Sequence, residues 1–457
     1  MSYTFNNISP IDGRYASKTN DLKPYFSELA FTKYRLYIEI NYLIELIDIK
    51  ENYLNITDKD PIILFLNKIY LNFTDSDMLL IKDIESTINH DVKSIEYFIR
   101  QKLEDLDHPC KKTLINYVHF GLTSQDINSP AITLMVKESG LNVIHSHLNI
   151  ILIDFKKLYN QWKKIPMLAR THGQPASPTY LGKEILVFYE RLLNQIKKMN
   201  NIDYTTKFGG AVGNLNAHYA AFPKTNWIAF SNKFIKRLGL KRNQYTTQID
   251  HYDNLSEVFD NLRRINVILI DFCKDVWLYI SMNYFKLNIN TDEVGSSAMP
   301  HKVNPINFEN AEGNLLYANS CLNFLSNELP ISRLQRDLCD STLLRNIGSA
   351  YGNTLVGLKS IIEGITKLDV NKEVINNDLN NNYSVISEAI QVKLKSLGID
   401  NSYEKIKDIT RIHTDSSISI KEKLDSFIDS LEDITPEQKK SIKKMTPFTY
   451  TGKYTMI

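Results

Sequence analysis

Gly295-Ser296-Ser297-Ala298-Met299-Pro300-His301-Lys302-Val303-Asn304-Pro305 interrupts a chain otherwise written in helical periods. Gly295 and the two prolines forbid a continuous helix through it, since proline lacks the N–H and its ring clashes with the preceding turn. The stretch reads as a loop with polar side chains and uncommitted backbone N–H groups, followed by a helix over 307–327. Such N–H groups favour an anion, and Lys302 adds a full positive charge. Taken alone, the same composition also suits an ordinary solvated connection between helices.

Outward from this loop the periodicity is helical in both directions. On the N-terminal side, 254–285 is a long candidate helix, apolar enough to be buried on several sides. Further back, Ile151, Leu152, Phe155, Leu158, Tyr159 and Trp162 form a 3.6-period stripe, and Ile185, Phe188, Tyr189, Leu192, Ile196 and Met199 form another. Leu29, Leu36, Ile40, Leu43 and Ile44 do the same within 25–46, while Leu315, Ala318, Leu322 and Leu325 follow the loop. Helices of about 25–30 residues exceed the usual ~11–12 and pack best as an elongated bundle. After about residue 365 the texture changes to shorter units, such as 385–397 closed by Gly398 and one opening at the Thr435-Pro436-Glu437-Gln438 capping box. The polar run 376–382 lies at this change, and Pro109-Cys110 marks an earlier one. The expected fold is all-α in three parts, 1–110, 111–365 and 366–457, with the long-helix bundle in the centre.

Composition narrows the function. The 457 residues are 43% hydrophobic and 23% charged, an ordinary globular balance. Lys+Arg number 54 against 52 Asp+Glu, so the chain lacks the basic bias of a dedicated nucleic-acid or anionic-membrane binder. Four cysteines without metal or disulfide spacing fit a reducing compartment. No apolar run approaches the ~18–20 residues of a spanning helix. The start, MSYTFNNISPIDGRY, lacks a basic region followed by an apolar one, so no secretory leader is expected. A cytoplasmic protein is expected. Glycine, 17 in all, is scarce, and five of the 14 prolines crowd into 166–178 and 300–305. Polar chemistry is therefore concentrated in a few windows.

One such window is Ala169-Arg170-Thr171-His172-Gly173-Gln174-Pro175-Ala176-Ser177-Pro178, where a histidine among polar neighbours on a kinked segment suits proton transfer near neutral pH. Another is His119-Phe120-Gly121-Leu122-Thr123-Ser124-Gln125-Asp126, whose adjacent hydroxyls could hold a carboxylate and which also reads as a helix N-cap. In order, the TS-x-D, THGQPA and GSSAMPHKVNP segments resemble the fumarase/aspartase superfamily. Within it, SPIDGRY at 9–15, NHDVK at 89–93, KFGGAVGNLNAH at 207–218, Tyr245-Thr-Thr-Gln248, SRLQRD at 332–337 and STLLRN at 341–346 are similar to the bacterial-type adenylosuccinate lyases. The resemblance spans the chain from Ser9 to MTPFTYTGKY near its end. Ala298 and Asn307 stand where threonine and aspartate are common, neither a position assigned to chemistry.

The resemblance implies β-elimination: a proton leaves the carbon beside a carboxylate, the C–N bond breaks, and fumarate departs. That needs a base, an acid and a cationic pocket for the aci-carboxylate. By motif match Ser296 is the base, with Ser297 its rival, and His172 the acid; His90 orients substrate and shares proton traffic. Lys302 supports the base, Thr123, Ser124, Lys302 and Asn304 bind the succinyl carboxylates, and Asn310 is a further substrate-binding residue. Asn89, Asp91 and Gln248 contact base or succinyl group. Arg14, Tyr15, Arg336, Ser341 and Arg345 are basic or hydroxyl groups suited to a nucleotide phosphate, which a small dicarboxylate would not require. No metal or organic cofactor and no metal-ligand set is implied. The chemical windows fall on different helices, and a 30-residue helix spans ~45 Å. The resemblance implies a homotetramer whose sites draw on three subunits. Argininosuccinate lyase or fumarase activity is the nearest alternative, and a catalytically silent helical relative the more distant one.

Overall fold

In a computed structural model the described residues are 6–49, 53–54, 56, 58–288, 299, 302–411 and 419–454. The loop positions Ser296, Ser297 and His301 lie outside them. The elements used below are α1 (Glu28–Ile47), α2 (Asp75–Ile88), α3 (Asp91–Glu104), α4 (Ser124–Ser139), α5 (His145–Trp162), β1 (Pro166–Thr171), β2 (Gln174–Tyr180), α6 (Leu181–Met199), α7 (Asp253–Ser281), α8 (Ile306–Glu328), α9 (Cys339–Leu344), α10 (Ile347–Lys367), α11 (Lys372–Asn381) and α12 (Ser387–Ser396). The fold class is all-α, as the periodicity predicts, with short strands at the connections. No helix among the described residues is long and apolar enough to cross a membrane.

The chain forms two compact units, the first of Met1–Asn149, Gln195–Ile270 and Ala311–Lys359, the second of Ile150–Asn194, Asp271–Asn310 and Ser360–Ile457. In the first, α1 packs on α4. Helix α1 begins at Ser27, whose Oγ accepts the Ala30 N–H at 3.1 Å, and buries Leu36, Ile40, Leu43, Ile44 and Ile47. Full burial of each such side chain is worth about 1.5–3 kcal/mol. Tyr42, fully buried, sends its hydroxyl to the Phe120 carbonyl at 2.7 Å. This ties the segment leading to Thr123 to the core, a constraint the helical stripe alone did not announce.

In the second unit Phe272 sits among Phe155, Phe188 and Phe308, at ring separations of 4.7, 5.4 and 6.2 Å. A separate cluster, including Ile386, Ile390, Leu394, Ile428 and Ile442, makes the core of the short C-terminal helices. The window around His172, expected as a kinked segment, is a β-hairpin: β1 and β2 pair antiparallel from Pro166↔Tyr180 to Thr171↔Gln174, with a register shift between Leu168 and Arg170. His172 (φ 54°) and Gly173 (φ 73°) are its two turn residues. Positive φ at both turn positions matches the twist of a two-residue hairpin.

Candidate functional site

A cavity of about 380 Å³ in the first unit collects side chains from four places distant in sequence. Helix α1 supplies Phe31 and Arg35, the α2–α3 junction Glu85, Asn89, His90 and Asp91, the first turns of α4 Ser124, Gln125 and Asn128, and the region of α9 Arg336, Ser341, Thr342 and Arg345.

The α2–α3 junction is two residues long. Asn89 ends α2 in the left-handed conformation, φ 54°, which asparagine tolerates better than most residues. His90 then caps α3, its Nδ1 accepting the Lys93 N–H at 3.2 Å. That bond leaves the ring hydrogen on Nε2, so the exposed edge of His90 is a donor. The next residue, Asp91, is clamped. Its Oδ2 accepts Arg35 Nη2 at 2.7 Å and Arg345 Nη2 at 3.0 Å, and its Oδ1 accepts the Val92 N–H at 2.9 Å. Burial pushes the Asp91 carboxyl up, but Arg35, the Val92 N–H and Arg345 outweigh it and hold it below the usual range. Asp91 thus holds two guanidinium groups.

Arg35, Gln125 and Asn128 line the cavity and are not among the residues expected from the sequence, Arg35 being the most informative. Arg35 is 5% exposed, donates from Nε to Asn128 Oδ1 at 2.8 Å, and has Cζ 3.7 Å from the Phe31 ring centre. Burial lowers its pKa, opposed by Asp91. Nothing in a single amphipathic stripe marks this arginine as buried. Across the cavity, Arg336 donates to Gln248 Oε1 and to Ser341 Oγ, both at 3.1 Å. Among the described residues, Arg336 Nε and Gln125 Oε1 are buried without a hydrogen-bond partner. Both residues line the cavity, and these atoms keep unused hydrogen-bonding capacity there. Three guanidinium groups against Glu85 and Asp91, with Glu85 also paired to Lys82 at 2.9 Å, leave the cavity suited to an anion.

The expected residues therefore divide into groups. Asn89, His90, Asp91, Ser124, Arg336, Ser341 and Arg345 share this cavity, and Gln248 joins it through Arg336. Arg14, Tyr15 and Thr123 belong to the same unit without lining the cavity. His172, exposed at the hairpin turn, and Lys302, Asn304 and Asn310 belong to the second unit. Ser296 and Ser297 lie outside the described residues.

Two motifs resolve into structural roles. Asp126 of the TS-x-D segment accepts the Thr123 N–H at 2.9 Å, closing the start of α4. It is also fully buried against Lys207, with Nζ 2.6 Å from Oδ1. Gly209 and Gly210 add their N–H groups at 2.7 and 3.0 Å. Burial pushes Asp126 up, yet Lys207 and these backbone donors hold it ionised, below the usual range. The glycines of KFGGAVGN thus serve close backbone approach. At Gly213 (φ +84°) a Cβ would stand 2.1 Å from the Thr246 carbonyl oxygen.

Comparison with known proteins identifies relatives along nearly the whole chain. Residues 13–317 match the family described as Lyase, and 332–451 the family described as Adenylosuccinate lyase C-terminal. The chain is 49% identical over 450 residues to an adenylosuccinate lyase of Dictyostelium discoideum, covering 97% of this chain and 96% of that protein. It is 42% identical over 449 residues to the adenylosuccinate lyase of Escherichia coli K12, covering 98% and 96%. Its fold is similar to that of a fumarate lyase from Mesorhizobium sp. BNC1, with a TM-score of 0.76 at 16% identity over 95% of each chain.

Proposed function

The chain belongs to the adenylosuccinate lyase family, and on that premise we propose that it cleaves adenylosuccinate to AMP and fumarate, and the succinylaminoimidazole carboxamide ribotide to the carboxamide ribotide and fumarate. It is a lyase of the fumarase/aspartase superfamily. In each reaction a proton passes from the succinyl carbon beside a carboxylate to the base. The electrons left behind form the fumarate double bond as the C–N bond breaks, and the acid protonates the departing nitrogen.

The observation that carries this reading is the convergence of Arg336, Ser341 and Arg345 with Asn89 and His90 on one cavity containing orphaned Arg336 Nε and Gln125 Oε1. A phosphorylated nucleotide supplies acceptors for the guanidinium groups. Its amino N–H is also a donor suited to the Gln125 oxygen. In the proposed mechanism Ser296 is the base, with Ser297 its rival, and Lys302 stabilises its oxyanion. His172 is the acid. His90, held by the Lys93 N–H, presents Nε2–H to the substrate. Thr123, Ser124, Asn304 and Asn310 bind the succinyl carboxylates, while Arg14 and Tyr15 complete the phosphate pocket. Asn89 and Gln248 contact the base or succinyl portion, and Asp91 acts by holding Arg35 and Arg345. The assembly we propose is a cytoplasmic homotetramer whose sites draw on more than one subunit.

Ultraviolet absorbance with adenylosuccinate, run beside a Ser296→Ala variant, tests this. Equimolar AMP and fumarate from the parent and none from the variant support it. An inactive parent would sink it and make argininosuccinate the next substrate to try.

A further inference from the structure

The hairpin that carries His172 is rooted in the core at Met167 and Leu168, but its outer half has little to hold it by itself. Its turn is exposed from Thr171 to Pro175, and an isolated two-stranded hairpin is at best marginal in water. Each strand is instead fastened to a carboxylate from the C-terminal helices. On β1, Arg170 donates from Nη2 to Asp378 Oδ2 at 2.7 Å and from Nη1 to the Tyr284 hydroxyl at 3.1 Å; that hydroxyl in turn donates to Asp378 Oδ2. Asp378, on α11, is itself steadied by Asn382 Nδ2 on Oδ1 at 2.9 Å. On β2, Ser177 Oγ donates to Glu388 Oε2 of α12 at 2.5 Å, and the Tyr450 hydroxyl donates to the same oxygen at 2.8 Å.

We propose that Asp378 and Glu388 are positioning residues for the reaction, two anchors on opposite strands that set the reach and roll of the hairpin and so the place of the His172 ring. The proposal rests on the reading of His172 as the acid. It assigns work to two segments otherwise without a role, the polar run 376–382 and the MTPFTYTGKY segment that contains Tyr450. Charge-assisted bonds are the stronger kind, and the Arg170–Asp378 pair, with side chains 29% and 19% exposed, is the better shielded. Asp378 is therefore the principal anchor. Near-attack geometry is sensitive to displacements of about 1 Å, at a cost reaching about 100-fold in rate. A hairpin hinged on one anchor therefore loses turnover more than binding.

The test compares Asp378→Ala, Asp378→Asn and Glu388→Ala in the full-length enzyme, measuring kcat and KM for adenylosuccinate together with amide hydrogen exchange of the 166–180 peptide. Asp378→Ala is expected to lower kcat at least about 10-fold with KM within about 3-fold, and to speed exchange of that peptide at least about 10-fold. Asp378→Asn keeps an acceptor for Arg170 and Tyr284 and restores most of the turnover. Glu388→Ala acts in the same direction by about 3-fold, as the more exposed anchor. Unchanged kcat and exchange in both alanine variants would overturn the proposal. So would a loss of activity matched by faster exchange throughout the chain, which is the mark of a general fold defect. Failure of the underlying assignment is read separately: His172→Gln turning over like the parent would remove His172 as the acid whatever the hairpin does.

Discussion

Arg35 and His119 show how much one well-shielded polar side chain can organise. Arg35 spans Asn128 and Asp91 with two donors, Nε and Nη2, of one planar group, a fixed geometry that lysine's single ammonium does not reproduce. Arg35→Met is expected to cost about 1.5–3 kcal/mol, read as a lowered urea midpoint, because Asp91 loses one of its two guanidinium partners and keeps Arg345. Arg35→Lys should recover only part of it; full recovery would show that charge alone suffices. His119 (φ 60°) places Nδ1 2.6 Å from Glu39 Oε1 and Nε2 3.7 Å from Glu96 Oε1, joining the elements that carry Arg35, Asp91 and Ser124. Burial lowers its pKa, but Glu39, Glu96 and Asp126 outweigh this and raise it above the ordinary value. A raised histidine pKa stabilises the fold fully below about pH 6.5 and loses that contribution as pH rises through the folded-state value. The urea midpoint of the parent should therefore fall above about pH 6.5 more steeply than that of His119→Asn; parallel slopes would refute the linkage.

At the scale of elements, the start of α4 depends on a loop some eighty residues later in the chain. Asp126 is neutralised by Lys207 and by the N–H groups of Gly209 and Gly210, all in a dry environment. Lys207→Met leaves that carboxylate without its cation and is expected to destabilise by about 3–5 kcal/mol in denaturant unfolding. Restoring part of the loss with Asp126→Asn in the Lys207→Met background, which removes the charge and keeps an amide oxygen for the Gly209 and Gly210 N–H groups, would show that the unpaired charge, rather than packing, is responsible. The His172 hairpin is a second element where local reading and structure part. Prolines at 175 and 178 suggested a kink, whereas the decisive signal was His172-Gly173, adjacent residues able to take positive φ between two extended runs.

For the whole molecule, each unit has its own apolar core, and the residues proposed for chemistry are divided between the units. If sites draw on several subunits, mixing inactive His172→Ala and Ser296→Ala proteins under conditions that permit subunit exchange should restore part of the activity. Mixtures that remain as inactive as their components would argue for sites complete within one subunit. Dilution gives a companion reading: specific activity should fall as the assembly dissociates, and fully active monomers would contradict shared sites.

The sequence alone determined the helical class, through stripes such as Ile185–Phe188–Leu192–Ile196, because a 3.6-residue period is a local property of the chain. It also determined the family chemistry, because a loop such as 295–305 breaks that period with residue types that few structural needs explain together. Tertiary structure alone decided which groups surround the cavity. Arg35, Gln125 and Asn128 carry no local signal, since their burial depends on what packs against them from other segments. It likewise decided that Asp91 holds arginines and Asp126 closes a helix. A carboxylate's role is set by which donors reach it, and those donors come from positions far along the chain.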